Sequence, residues 1–245
     1  MRILIFGRGR VGGSFKVFAE SLGHEALSLG RNDEARAESA IGAAGLVAAA
    51  IPDDALPPWW DQWRGRLEGK PAMHFSGARV LDGLPGYHPL YSFPAAPLDP
   101  PIFGKIAIAR APGAKAFADI VPGAANPEFV VKDEDRAFYH ALAVVSGNFA
   151  AHLWNETARA FSDRLGPGGG EVLGAYFNSV VARFQESPVS SLTGPVARRD
   201  TATVEANLKA LDHAPRLKAL YSAFLESAWP ERGPERGPEQ GVDRP

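Results

Sequence analysis

The sequence predicts an α/β architecture in which a doubly wound, mostly parallel sheet precedes an all-α C-terminal domain. Three observations carry this reading. The chain opens on MRILIFGRGRVGG, where the apolar run Ile3 to Phe6 leads straight into a glycine-rich turn. Short apolar runs then alternate with helical patterns as far as residue 131, the order of βαβ units. Near Lys132 the strand patterns stop and only helical stretches follow. The expected division is therefore residues 1–131, residues 132–229, and a tail from 230 to 245.

Gly7-Arg8-Gly9-Arg10-Val11-Gly12 has the spacing G-x-G-x-x-G. Val11, Phe15, Phe18, Ala19 and Leu22 then recur at helical spacing. Strand, glycine turn and helix in this order are what a dinucleotide site requires, so the N-terminal domain reads as Rossmann-like. Gly7 permits the tight turn, Gly9 keeps side-chain atoms away from a pyrophosphate, and Gly12 lets helix and strand pack closely. The pyrophosphate would rest on unpaired backbone N–H groups at the positive end of the helix.

The second strand is expected at Ala26 to Leu29, followed by Gly30-Arg31-Asn32. NAD sites usually carry an Asp or Glu at the end of this strand for the ribose 2′-hydroxyl. Gly30 stands near that position and Arg31 follows, which suits the 2′-phosphate of NADP(H). Asp33 is the acid instead if the strand ends later. A short helix over Glu34 to Ile41 leads to a strand at Leu46 to Ile51. That strand ends in Pro52-Asp53-Asp54, a loop at the ligand-binding edge of the sheet, which makes Ile51 and Pro52 cofactor contacts and leaves Asp53 or Asp54 equally a ligand-side acid or a helix cap. Trp59, Trp60 and Trp63 read as packing on the next helix. Further strands are expected at Ala72 to Phe75, Ile102 to Ala109 and Glu128 to Val131, with a short helix at Ala114 to Ile120. His88 falls on a loop between them.

In the second half, Asp133 to Leu165 lacks proline and reads as one helix of about nine turns. Helices follow at Glu171 to Glu186, Thr201 to Leu211 and Pro215 to Ala228, with Asp200 as N-cap of the third. The tail repeats Glu-Arg-Gly-Pro and has the composition of a disordered segment.

Bulk properties narrow the function. A net charge of -2 over 245 residues gives no reason to expect nucleic acid or an anionic membrane as partner. With no cysteine, disulfides, thiol catalysis and thiolate metal sites are excluded. The longest apolar run, Ala43 to Ile51, is too short to span a bilayer, and Met1-Arg2 leads directly into a strand. A soluble cytoplasmic protein is the expectation.

Taken together, GRGRVG at 7–12, AIPDDAL at 50–56, HFSG at 74–77, HPLYSF at 88–93, YHALAVVSGN at 139–148 and LTGPVARRD at 192–200 resemble a group of bacterial proteins. These have an N-terminal Rossmann-like domain and a C-terminal domain of unknown function, number 2520. Arg199 departs from the pattern, which has glycine there. The group looks like a branch of the two-domain reductases that include ketopantoate reductase, pyrroline-5-carboxylate reductase and prephenate dehydrogenase. The resemblance implies a nicotinamide cofactor and a helical domain that often dimerises, and it supplies no substrate. By analogy with prephenate dehydrogenases, Ser76 and His88 are the matching catalytic pair.

Hydride transfer needs a group that gives or takes a proton, and histidine suits neutral pH. His88 precedes a proline, which restricts it to extended conformations. His140 and Asn148 are eight residues apart, on one face of a regular helix. His88, Ser76, His140 and Asn148 are thus the catalytic candidates, each with a purely structural alternative in turn or helix packing. Arg198 and Arg199 form a basic pair beside a helix start. No metal motif appears. Two functions remain open: an NADP(H)-dependent oxidoreductase acting on a small polar, anionic metabolite between the domains, and an inactive NADP(H)-binding sensor or assembly module.

Overall fold

The computed structural model describes residues 1–188 and 190–229, so the tail from Pro230, expected to be disordered, lies outside the described residues. Contacts divide the chain into one compact unit from Met1 to Gly147 and a second that begins at Asn148.

The first unit starts with β1 (Arg2–Phe6), α1 (Arg10–Ser21), β2 (Glu25–Leu29), α2 (Glu34–Ala43), β3 (Leu46–Ala49), α3 (Leu56–Trp63) and β4 (Ala72–His74). The four strands form a parallel sheet in the order β2-β1-β3-β4. β1 is a continuous apolar run because both its faces are covered. Ile3 and Ile5 join Phe15, Phe18 and Phe103 on one side. Leu4 and Phe6 join Ile41, Trp59 and Trp63 on the other. The Phe6 and Trp59 rings meet edge-to-face at 5.1 Å between centroids, so the tryptophans pack as expected.

Three expectations about this half are corrected, two here and one at His88 below. Neither Asp53 nor Asp54 caps α3, whose N-cap residue is Ala55 with no side-chain bond. Pro57 and Pro58 occupy the positions whose N–H groups a cap would receive, and proline has none to donate. The strand expected over Ile102 to Ala109 is instead a short helix followed by a three-residue strand. Asp99-Pro100-Pro101 starts that helix, because proline is pre-set for the first helical turn.

Beyond β4 come β5 (Tyr87–Pro89), α4 (Pro100–Phe103), β6 (Ile108–Arg110), α5 (Phe117–Ile120) and β7 (Glu128–Val130). β5 runs antiparallel to β6, and β7 runs parallel to it. The two sheets join where His74 bridges Gly86 and its N–H donates to the Pro85 carbonyl at 3.1 Å. His88 therefore sits in a strand, opposite Ala109, and not on a loop. A three-residue strand bounded by glycine and a second Pro-containing turn leaves too little alternation to recognise.

The long helix is interrupted. A 3₁₀ turn at Asp133–Asp135 leads into α6 (Arg136–Val144), a π-helical turn over Val145–Phe149, and α7 (Ala150–Leu165). Ser146 and Gly147, poor helix formers, lie inside the π turn. Regular helical counting from His140 therefore stops short of Asn148.

In the second unit α7 packs on α8 (Gly169–Glu186) through stacked Trp154 and Phe177 rings, 4.9 Å apart. α9 (Gly194–Ala197), α10 (Thr201–Ala210) and α11 (Pro215–Ala228) enclose Val196, Val204, Leu225 and Trp229. Asp200 caps α10 as expected, accepting the Thr203 N–H at 3.1 Å. The turn before it shows why a glycine would suit position 199. Arg199 has φ 56, the left-handed region, while the Asp200 N–H closes back to the Pro195 carbonyl at 2.9 Å. Arg199→Gly is expected to stabilise the protein by about 0.5–1 kcal/mol, the left-handed cost of a Cβ less glycine's extra chain entropy. Thermal melting checks this: a melting temperature that falls instead means that contacts of the arginine side chain outweigh the backbone strain.

Candidate functional site

All four strands of the parallel sheet end at one edge, and two groups of candidate residues lie there. The first is the glycine turn, whose three glycines have different reasons to be glycine. A Cβ on Gly7, at φ +115, would overlap the Ala50 carbonyl oxygen, and one on Gly12 would overlap the Gly7 carbonyl oxygen. Those two are fixed by the protein itself. A Cβ on Gly9 would meet nothing within 4 Å. Gly9 is exposed and is the N-cap of α1, with no side-chain cap and no acid in the first turn. The first N–H groups of a helix have no intrahelical partner, and with no side-chain cap on α1 this start meets the condition for receiving an anion such as a pyrophosphate.

Beside this turn is a cavity of about 430 Å³ lined by Gly7, Gly9, Gly30, Arg31, Ile51 and Pro52, with Trp59 and Trp63 on its apolar wall. Arg31 is exposed at its rim. The remaining residues of the fingerprint point elsewhere. Val11 packs against the core. An Arg10 guanidinium N–H donates to the Phe93 carbonyl at 3.3 Å. Arg8 reaches the end of β2 and pairs with Asp33 at 2.6 Å. Asp33 also accepts the Gly30 N–H at 2.8 Å, so the acid that the sequence left open as a ribose ligand is occupied by the protein.

The second group follows β4. Ser76 is buried, and its Oγ accepts the N–H groups of Ala78 and Arg79 at 3.3 and 3.0 Å, which holds the turn and leaves only its own proton to donate. The next residue, Gly77, brings two histidines together: a Cβ there would stand 2.7 Å from His140 Nδ1 and 3.1 Å from His88 Nε2. Ser76, His88 and His140, three of the four catalytic candidates, are thus gathered around one turn. Asn148 belongs to the second unit and is exposed.

Two residues absent from the sequence reading complete this group. Tyr139 Oη is 2.7 Å from His88 Nδ1, and His88 Nε2 has no partner among the described residues. Arg136 is buried, with N–H groups 3.5 Å from the carbonyls of Ala109 and Gly86 and no carboxylate in ion-pair range among the described residues. Tyr139 and Arg136 share one face of α6, and YHALAVVSGN starts on that tyrosine. Spacing on α6 alone offers no sign of a strand residue 51 positions earlier.

Electrostatics set the protonation of the cluster. Burial, then the neighbouring His140 and Arg136, hold His88 down to about 4, with Asp53 opposing. Burial and Arg136 likewise hold His74 down to about 4. Burial pushes the Tyr139 hydroxyl up to about 12, against the pull of Arg136 toward the phenolate. The titration near neutrality expected of His88 is therefore displaced to acid, and at neutral pH imidazole and phenol are both uncharged. Such a pair holds two mobile protons and spends one on its internal bond. The other is presented outward, at Nε2 or at the phenol oxygen.

The comparisons agree with this architecture. Residues 107–228 match the family model described as "Domain of unknown function (DUF2520)". The chain carries a DUF2520 domain. No curated protein matches the sequence. Among solved structures, a Bacteroides fragilis protein described as an NADP oxidoreductase is 19% identical, with 93% of this chain and 97% of that chain covered and a TM-score of 0.69. Plasmodium falciparum pyrroline carboxylate reductase, solved with NADP bound, is 12% identical over 93% and 95% of the two chains, with a TM-score of 0.60. A reductive aminase from Aspergillus terreus, in complex with NADPH and ethyl levulinate, is 17% identical over 94% of each chain, with a TM-score of 0.56. At these identities the likeness is one of fold: a Rossmann-like parallel sheet followed by a helical region. No helix among the described residues is long and apolar enough to cross a membrane.

Proposed function

We propose that this DUF2520 chain is an NADP(H)-dependent oxidoreductase that acts on a carbonyl or imine of a small polar, anionic metabolite. The observation that carries the reading is one sheet edge with two features: an open, uncapped glycine turn, and a neutral imidazole–phenol pair whose Nε2 has no partner among the described residues. The NADP- and NADPH-bound reductases of the same fold support it. Gly7, Gly9, Gly12 and the start of α1 hold the pyrophosphate, Ile51 and Pro52 flank the adenosine half, and Arg31 meets the 2′-phosphate.

When bound, the reduced cofactor supplies a hydride, with its two electrons, to the substrate carbon. The chain's part is the proton. His88 Nε2–H donates to the substrate oxygen or nitrogen as its charge grows. As that bond breaks, Nδ1 takes the Tyr139 proton, so the imidazole stays neutral and the phenol is the net donor. Arg136 favours the phenolate that remains, and solvent restores its proton. The positive charge of Arg136, with no carboxylate in ion-pair range among the described residues, also favours an anionic substrate. Ser76 orients the reacting group with its free hydroxyl proton, and His140 stands beside Gly77 and His88.

Thermal shift with NADPH, NADH and a panel of keto and imino acids tests this, since a ligand of the native state raises the melting temperature. NADPH is expected to bind more tightly than NADH. Arg31→Ala is expected to lose about ten- to a hundredfold in NADPH affinity, the worth of one charge-assisted contact. Equal affinities in the wild type would remove the assignment of NADP. Tight NADPH binding with no turnover of any panel member would favour the sensor reading.

We also propose that the protein is a homodimer. α8 leaves Val172, Tyr176, Val180 and Phe184 exposed at intervals of four residues, a continuous apolar stripe on a helix. A symmetric second copy is the commonest cover for such a face. Sedimentation is expected to give twice the chain mass at micromolar concentration, and a monomer there would overturn the proposal.

A further inference from the structure

Among NADP(H) and NAD sites, an acid near the end of the second strand ordinarily favours NAD. This chain has one, Asp33, only 19% exposed at its side chain and set on the cavity beside Gly30. Left free, it would accept the 2′-hydroxyl of NAD and repel a 2′-phosphate. It is not free. Arg8 holds it at 2.6 Å and the Gly30 N–H at 2.8 Å, both on Oδ2. Arg36 stands 3.9 Å from Oδ1. Arg8 is itself fixed, donating to the Ser28 carbonyl at 3.3 and 3.4 Å. A side chain at position 30 would crowd it, since a Cβ on Gly30 would lie 3.3 Å from a guanidinium nitrogen of Arg8.

We infer that Arg8 is a positioning residue that sets the preference for NADP(H) by occupying Asp33, and so turns a residue that suits NAD into a neutralised support for the phosphate site. The inference rests on the proposed dinucleotide reading and deepens it. Arg8 and Arg36 flank the carboxylate of Asp33 and Arg31 lines the same cavity, so loss of Arg8 removes one unit of positive charge from the surroundings of the ribose and frees the acid. Without Arg8 the carboxylate of Asp33 faces the 2′ position with one lone pair newly available.

The test is calorimetric titration of NADPH and NADH into the wild type, Arg8→Ala and the double variant Arg8→Ala/Asp33→Asn, with melting temperatures as a check on folding. Arg8 is exposed, so the variants are expected to fold. Arg8→Ala is expected to weaken NADPH at least about tenfold and to tighten NADH, so that the preference collapses or inverts. Asparagine at 33 still accepts the Gly30 N–H but carries no charge. The double variant is therefore expected to regain most of the preference for NADPH. An unchanged preference in Arg8→Ala overturns the inference. Collapse without recovery in the double variant also overturns it, because Arg8 would then be a direct phosphate ligand. A wild type that binds neither dinucleotide removes the functional reading and this inference with it, a result distinct from the other two.

Discussion

Replacing Gly9 by valine is expected to abolish dinucleotide binding while the protein stays folded. Gly9 has φ -72 and ψ -173, extended backbone that valine adopts readily, and a Cβ there meets nothing within 4 Å. Valine is a poorer N-cap than glycine, which costs about 1 kcal/mol of helix stability. At this chain length that is a fall of about 2–4 °C in melting temperature. The two added methyl groups would fill the space over the start of α1 where a pyrophosphate must lie. Gly7→Ala is the contrasting variant. Its Cβ overlaps the Ala50 carbonyl, and φ +115 is unfavourable for any L-residue. It is expected to cost about 3 kcal/mol or more, through steric overlap and backbone strain together. Calorimetry and thermal melting on both variants separate the roles. Full-strength binding by Gly9→Val would mean that this turn is not the phosphate site.

That contrast shows what was legible in the sequence and what was not. Strand, turn and helix at residues 2–21 are neighbours in the chain, so the local pattern carried their order, and the close approaches at Gly7 and Gly12 with it. Asp200 was equally legible as a cap, because capping is a matter of three residues. Features made by distant segments were not. His88 and Tyr139 meet only because β5 turns back against β6 beside the start of α6, and no spacing rule links positions 51 apart. Arg8 read as one of the cofactor-binding residues of the fingerprint, and its pairing was hidden because its partner Asp33 lies beyond the next helix and strand. The strand expected at Ile102 failed for another reason. A short apolar run does not distinguish helix from strand, and Pro100-Pro101 decided for helix. The π turn at Val145–Phe149 was marked only by Ser146-Gly147, which also fits ordinary close packing.

Exchange of His88 for asparagine is expected to leave NADPH binding almost intact and to lower turnover of the true substrate by about a hundredfold or more. His88 lies beside the turn after β4, away from the pyrophosphate cradle, so the cofactor loses no contact. Asparagine can keep a hydrogen bond to Tyr139 but cannot pass a proton from one ring nitrogen to the other. Tyr139→Phe, which removes the net donor, is therefore expected to lose turnover to a similar degree. The pH behaviour follows from the displaced titration. Wild-type turnover is expected to show no inflection near pH 6.5, because His88 remains neutral down to about 4. Stability has the opposite profile. His88 and His74 bind protons more weakly in the folded chain than in the unfolded one. Their contribution is complete above pH 6.5 and is lost as pH falls toward 4, by about 3 kcal/mol each at most. His88→Asn is expected to remove about half of that acid destabilisation. Should the variant instead melt far below the wild type at pH 7.5 and keep its activity per folded molecule, His88 is a structural residue. The proton donor must then be sought at His140, or the enzymatic reading given up for that of a binding module.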